Sequence, residues 1–138
     1  MMKYIYLFIG TFAIFMAIDL LWIGVLMKDF YRDRIGFLMA KDVRWGAAMV
    51  FYVLYIAGIL YFVVLPVLES RGGIEVVLLK GALLGLLCYA TYDLTNMATL
   101  EGWPLSMVVV DMIWGTILTA LVSGGSFLLA SKWIFSNP

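Results

Sequence analysis

The sequence has no histidine and only one cysteine, Cys88, in 138 residues. A single thiol cannot form a disulfide within the chain, and the usual ligands of structural zinc are absent. Charged residues make up only 13% of the chain, and nine basic residues balance nine acidic ones. No basic surface for nucleic acid and no glycine-rich phosphate-binding loop is present. We therefore predict no nucleic-acid partner, no metal site and no cofactor.

Hydrophobic residues dominate what remains, at 65% of the chain, with a mean hydropathy of +1.06. A soluble domain is about half apolar, and a chain of this length cannot bury so much apolar surface in a water-soluble core. A membrane span needs about 20 predominantly apolar residues. Four segments meet that requirement, at about 4–27, 46–68, 76–98 and 105–131.

These four runs must be helical, because unpaired backbone groups are too costly in lipid. The predicted fold is an all-α integral membrane protein, a four-transmembrane-helix antiparallel bundle forming one domain over residues 1–138. The first run is longer than the apolar part of a secretory signal and contains Asp19, which favours a retained span. We expect membrane lipids as partners and a bacterial inner (cytoplasmic) membrane as the location.

The connection between the first two spans, KDFYRDRIGFLMAKDVRW, holds five of the nine basic residues. Tyr31, Ile35, Leu38 and Met39 recur there at helical spacing, which predicts a short helix lying in the interface. A solvated charged loop is the alternative. The basic cluster also favours a cytoplasmic position for the side that carries the first and third connections, called side B here, with the N-terminus outside.

Three aspartates lie inside predicted spans, at the start of the phrases DLLW (19–22), DLTN (93–96) and DMIW (111–114). Residues three apart share a helix face, so Trp22, Asn96 and Trp114 each accompany one aspartate, and Tyr89 lies one turn before Asp93. With a rise of 1.5 Å per residue, Asp19 lies roughly 12 Å, Asp93 about 8 Å and Asp111 roughly 10 Å from side B. We therefore predict one polar pocket, opening toward side B, that contains Asp19, Asp93 and Asp111.

Three close carboxylates in a membrane cannot all stay ionised without compensation. The compensation could be a bound cation, or a basic side chain folding in from the first connection, such as Arg32, Arg34 or Arg44. The glycines of the third span, Gly81 and Gly85, form a G-x-x-x-G pattern that predicts close helix packing.

The favoured function is binding or transport of a cation, a proton, or a small amine or lipid headgroup. Its predicted site consists of Asp19, Asp93, Asp111, Asn96, Tyr89, Trp22 and Trp114, and transport by four spans favours a homodimer. Two alternatives stay open. The aspartates of a structural or accessory subunit would hold helices together, or the carboxylates of a membrane-embedded enzyme would act on a lipid, with magnesium as a candidate ion.

The chain resembles a bacterial family of small predicted membrane proteins, the domain of unknown function 2177. The resemblance rests on AIDLLWIGVLMKDFYRDRIGFLMA (17–40), FYVLYIAGILYFVVLP (51–66), YATYDLTNMATLEGWPL (89–105) and VDMIWGTILTA (110–120). It implies a helical membrane protein with four spans, and it supplies no activity and no catalytic residues.

Overall fold

The computed structural model describes residues 1–134, and within that range the chain is helical and contains no strand. The helices there are α1 (Met2–Leu21), α2 (Lys28–Ile35), α3 (Trp45–Ile59), α4 (Leu65–Glu69), α5 (Ile74–Thr99) and α6 (Leu105–Leu129). Wider π-helical turns extend α1 through Trp22–Leu26, join α3 to α4 through Leu60–Val64, and extend α6 through Ala130–Ile134.

Four continuous helical segments of the described chain are long and apolar enough to cross a membrane: Met2–Leu26, Trp45–Glu69, Ile74–Thr99 and Leu105–Ile134. Many of their large apolar side chains point away from the bundle, as a lipid solvent permits and water would not. The predicted all-α bundle with four spans is thereby confirmed.

Helices α5 and α6 pack against each other along a stripe of small residues. A Cβ built on Gly81 would lie 2.7 Å from Ser123 Oγ, and one built on Gly85 would collide with the carbonyl oxygen of Gly115. The absence of side chains therefore lets the two backbones approach closely, as the G-x-x-x-G pattern predicts. The tight turn between these helices is made at Gly102, whose φ of 76° suits glycine.

The first connection contains a short helix, α2 (Lys28–Ile35), followed by a 3-10 turn at Gly36–Leu38, and residues 39–44 form an exposed, non-helical segment before α3. Asp29 lies in the first turn of α2 and Arg32 in its last, an arrangement that complements the helix dipole. These two exposed side chains also form an ion pair with an N–O distance of 2.8 Å, which contributes little stability at the surface. The opposite face of α2 carries Tyr31 and Ile35 toward the bundle.

Candidate functional site

Two of the three aspartates line one cavity of about 250 Å³ inside the bundle, called the acidic cavity here. Asp19 comes from α1 and is 4% exposed, and Asp111 comes from α6 and is 8% exposed. The carboxyl of Asp111 acts electrostatically on that of Asp19. The remaining lining residues are Ile23, Tyr31, Ile35, Met39, Tyr89, Tyr92, Met107 and Trp114.

Tyr31 of α2 closes the acidic cavity from the first connection. Its hydroxyl donates a hydrogen bond to Asp111 Oδ1 and accepts one from Trp22 Nε1 at 3.1 Å. Burial, and then the bond to Asp111, raise the pKa of Tyr31 well above its usual range. The phenol therefore stays protonated and donates to the carboxylate at physiological pH.

The two predicted tryptophans form a stacked pair between α1 and α6. The rings of Trp22 and Trp114 are nearly parallel, at an interplanar angle of 5°, with centroids 4.1 Å apart. The indole N–H of Trp114 is buried close to Asp19 but does not meet hydrogen-bond geometry with it. The cavity therefore has an aromatic wall beside its carboxylates, and the buried N–H of Trp114 has no acceptor among the described residues.

Asp93 lies next to this cavity rather than in its lining. Its side chain is fully buried, and both carboxyl oxygens lack a hydrogen-bond partner among the described residues. The indole N–H of Trp103 approaches it without satisfying hydrogen-bond geometry and is also unpartnered. The carboxyl of Asp111 acts on Asp93 electrostatically, so Asp93 extends the acidic region toward the α5–α6 turn.

Tyr89 is held in place by the absence of a side chain at Gly115. A Cβ at that glycine would collide with the tyrosine ring, so the ring lies directly against the backbone of α6. Tyr89 thereby lines the cavity, one helical turn before Asp93. Asn96 is only partly buried, contacts Tyr92 and does not line the acidic cavity.

A second cavity of about 320 Å³ adjoins the first and is called the aromatic cavity here. It lies between α3 and α5 and shares Asp111, Tyr89 and Tyr92 with the acidic cavity. Its other lining residues are Phe51, Tyr55 and Cys88. Asp111 is therefore the carboxylate accessible from both spaces.

A basic side chain from the first connection, one of the two alternatives offered for compensating the carboxylates, forms no ion pair with them in the described part of the chain. Arg32 pairs with Asp29, and Arg34 lies over the Phe30 ring at 3.8 Å and donates from Nε to Ser106 Oγ at 2.7 Å. Within residues 1–134 no lysine or arginine forms an ion pair with any of the three buried aspartates. The geometric reason is that α2 turns its neutral side chain, Tyr31, toward the bundle and its charged side chains outward.

Tyr31, Tyr92 and Met107 line the cavity although the sequence did not single them out for the site. A signal existed for Tyr31, because it belongs to the predicted stripe of Tyr31, Ile35, Leu38 and Met39 in the first connection. Tyr31, Ile35 and Met39 line the cavity, whereas Leu38 is exposed and does not. Tyr92 gave no such signal in the sequence. In the structure its side chain is half exposed, and its ring packs edge-on against that of Trp103 with the ring centroids 5.7 Å apart.

Replacing Tyr31 by Phe should loosen α2 from the bundle. The change removes one hydroxyl that both donates to Asp111 and accepts from Trp22, and leaving such groups unpaired costs about 1–3 kcal/mol. We expect faster hydrogen exchange of the amides of Lys28–Ile35, measured by mass spectrometry in lipid discs. Tyr61→Phe is the matched control, because Tyr61 is 70% exposed. Equal exchange in α2 for both variants would contradict the closing role of Tyr31.

Metal-binding geometry is not found in the described part of the chain. No group of three or more Cys, Asp or Glu side chains within residues 1–134 is placed to hold an ion together. The two cavity carboxylates and their aromatic neighbours are instead arranged around a space large enough for a small organic molecule.

Comparison with known proteins gives a family. A family model described as Predicted membrane protein (DUF2177) matches residues 4–128. The chain belongs to the DUF2177 family. This confirms the resemblance drawn from the sequence, and with the four spans it makes this DUF2177 chain a membrane protein. No curated protein and no solved structure matches it.

Proposed function

We propose that the protein binds a small organic cation, of the ammonium type, in the acidic cavity within the membrane. The observation that carries the proposal is the presence of Asp19 and Asp111 in one cavity without a basic partner among the described residues. A charge in the hydrocarbon region costs at least about 2.5–3.5 kcal/mol. A ligand of opposite charge offsets that cost.

The aromatic lining favours an organic cation over a bare metal ion. Trp114, Tyr89 and Tyr92 line the acidic cavity together with the two carboxylates. Aromatic faces attract ammonium groups, by about 0.5–1 kcal/mol at exposed sites and about 2 kcal/mol when water is excluded. A hard divalent cation would instead require six or more oxygen ligands, or retained water.

The proposal is tested with benzyltrimethylammonium as the probe and the purified protein in lipid discs. Neopentylbenzene, in which carbon replaces the charged nitrogen, is the matched neutral probe of the same shape. We expect saturable binding of the cation, followed by isothermal titration or tryptophan fluorescence, and binding at least about tenfold weaker for the neutral isostere. Equal affinity for the two probes, or no saturable binding of the cation, would overturn the proposal.

The structural alternative has one observation in its favour, the hydrogen bond from Tyr31 to Asp111 that joins α2 to α6. If the aspartates only hold helices together, Asp→Asn variants change stability and no cation binds. The same titration therefore separates the two functions.

The proposal also includes the orientation of the protein in the membrane and its oligomeric state. The five basic residues of the connection between Met2–Leu26 and Trp45–Glu69 favour a cytoplasmic position for side B of a bacterial inner membrane, with the N-terminus outside. A membrane-impermeant maleimide should then label a cysteine placed at Lys41 only after the cells are opened.

Transport, as opposed to binding alone, would call for a homodimer, which native mass spectrometry in lipid discs detects.

A further inference from the structure

The aromatic cavity continues into a groove along the outside of the bundle. A third space, of about 290 Å³, lies between α3 and α5 farther from side B and shares Phe51, Tyr55 and Cys88 with the aromatic cavity. Gly58, Leu84 and Phe62 line its far part. The two spaces together are called the lateral groove here. From Leu84 to Tyr92 it follows α5 for roughly 12 Å.

The two helices that form the walls of the groove, α3 and α5, each pack against a different helix, and this leaves the space between them open. Helix α3 contacts α1, where the Phe15 ring lies 5.7 Å from Tyr52 and 5.8 Å from Tyr55. Helix α5 is held against α6 by the glycine stripe. Behind the groove, the Tyr55 hydroxyl is hydrogen-bonded to Thr119 Oγ1 at 2.7 Å, which ties α3 to α6 and forms a floor.

The open side of this groove faces the membrane interior. Both walls belong to spans, Trp45–Glu69 and Ile74–Thr99. Phe51 and Phe62 at its margin are 47% and 63% exposed. Hydrocarbon chains are the solvent at this depth, so an apolar groove here is open to the chain of a membrane amphiphile.

The end of the groove nearer side B carries the carboxyl group of Asp111, and this determines the charge expected for a ligand's headgroup. Asp111 lines the aromatic cavity, and only its Oδ1 accepts a hydrogen bond, from Tyr31, within the described residues. Oδ2 therefore has accepting capacity for a ligand. The partly exposed Tyr92 ring lies at the same end.

We infer that the ligand is a single-chain cationic amphiphile, which enters from the bilayer between α3 and α5 with its hydrocarbon chain in the lateral groove and its ammonium group at Asp111. This inference rests on the proposed function and adds both the ligand class and its route. Charge complementarity selects a cationic headgroup, and the apolar groove continuous with Asp111 selects an attached chain.

Gly58 provides the variant that tests the groove without touching the carboxylates. Gly58 lines the groove, and a Cβ built on it meets nothing within 4 Å, so we expect the larger side chain of Gly58→Leu to occupy the groove. Leucine is also a better helix former than glycine, so the variant is expected to fold. Gly46→Leu is the matched control, because Gly46 lies on the same helix, outside the groove, and its Cβ also meets nothing within 4 Å.

The probe is a dodecyltrimethylammonium analogue that carries a photoreactive diazirine in its chain, used on the protein in lipid discs. We expect saturable labelling of the segments 51–62 and 84–92, located by mass spectrometry. Unlabelled dodecyltrimethylammonium should compete and dodecyl sulfate should not. Labelling should fall about tenfold in Gly58→Leu and stay unchanged in Gly46→Leu, while benzyltrimethylammonium binds Gly58→Leu as it binds the parent.

Labelling of Gly58→Leu at the parent level would overturn the lateral route. Equal competition by dodecyl sulfate would overturn the choice of a cationic headgroup, because the groove would then accept any chain. Failure of the parent protein to bind benzyltrimethylammonium would overturn the proposed function itself. This result is separate from the first two, because it is measured on the parent protein alone and with a probe that has no hydrocarbon chain.

Discussion

Replacing Asp111 by Asn is expected to weaken binding of benzyltrimethylammonium about 30-fold or more, which corresponds to about 2 kcal/mol. Asp111 lines both the acidic and the aromatic cavity, so its charge faces a ligand in either space. Asparagine keeps the size and an oxygen that accepts the bond from Tyr31 but removes the charge. Affinity is measured by isothermal titration in lipid discs.

Asp42→Asn is the matched control for this charge removal, because Asp42 lies in the exposed connection before α3. Its affinity should equal that of the parent. An unchanged affinity in Asp111→Asn, or an equal loss in both variants, would mean that Asp111 is not a ligand of the cation.

The second large effect is expected in the packing of α5 against α6. Gly85→Val should lower the free energy of unfolding by about 3 kcal/mol, the upper part of the usual range for overpacking. The new Cβ would collide with the carbonyl oxygen of Gly115 and lie 2.6 Å from Thr119 Oγ1. A backbone carbonyl cannot rotate away as a flexible side chain can, so the helices must separate.

Gly58→Val is the control for this substitution, since a Cβ built on Gly58 meets nothing within 4 Å. Reversible unfolding in mixed detergent, followed by circular dichroism, gives both free energies. Equal stability of the two variants would contradict the close contact between α5 and α6. Separation of these helices should also displace Tyr89, whose ring rests against Gly115.

The architecture could be predicted because its signals are local in the sequence. Apolar runs of span length and the cost of unpaired backbone in lipid are sufficient to indicate four helices. The spacing of Tyr31, Ile35, Leu38 and Met39 likewise indicated a short helix in the first connection, and all of these residues except Leu38 line the cavity. The rise per residue placed Asp19 and Asp111 at similar depth, and the structure brings both into one cavity.

The rotation of each helix could not be predicted in the same way, since it depends on contacts between distant residues. Asn96 shares a helix face with Asp93 by spacing, yet it contacts Tyr92 and does not line the cavity. The arginines of α2 lie on the correct side of the membrane, yet the helix turns Tyr31 inward. The lateral groove depends on α3 packing against α1 while α5 packs against α6. The G-x-x-x-G pattern indicates that α5 packs closely, but nothing in the sequence indicates that α3 packs against α1.

The most direct test of the account is the distance from a bound cation to the buried carboxyl carbons. We would bind ¹⁵N-labelled benzyltrimethylammonium to protein with ¹³C-labelled aspartate in lipid discs and measure ¹⁵N–¹³C dephasing by solid-state NMR. The account predicts dephasing of the Asp19 and Asp111 carboxyl carbons, which corresponds to separations within about 6 Å, and none for Asp29, Asp33 or Asp42. A bound probe that leaves Asp19 and Asp111 unaffected would contradict it.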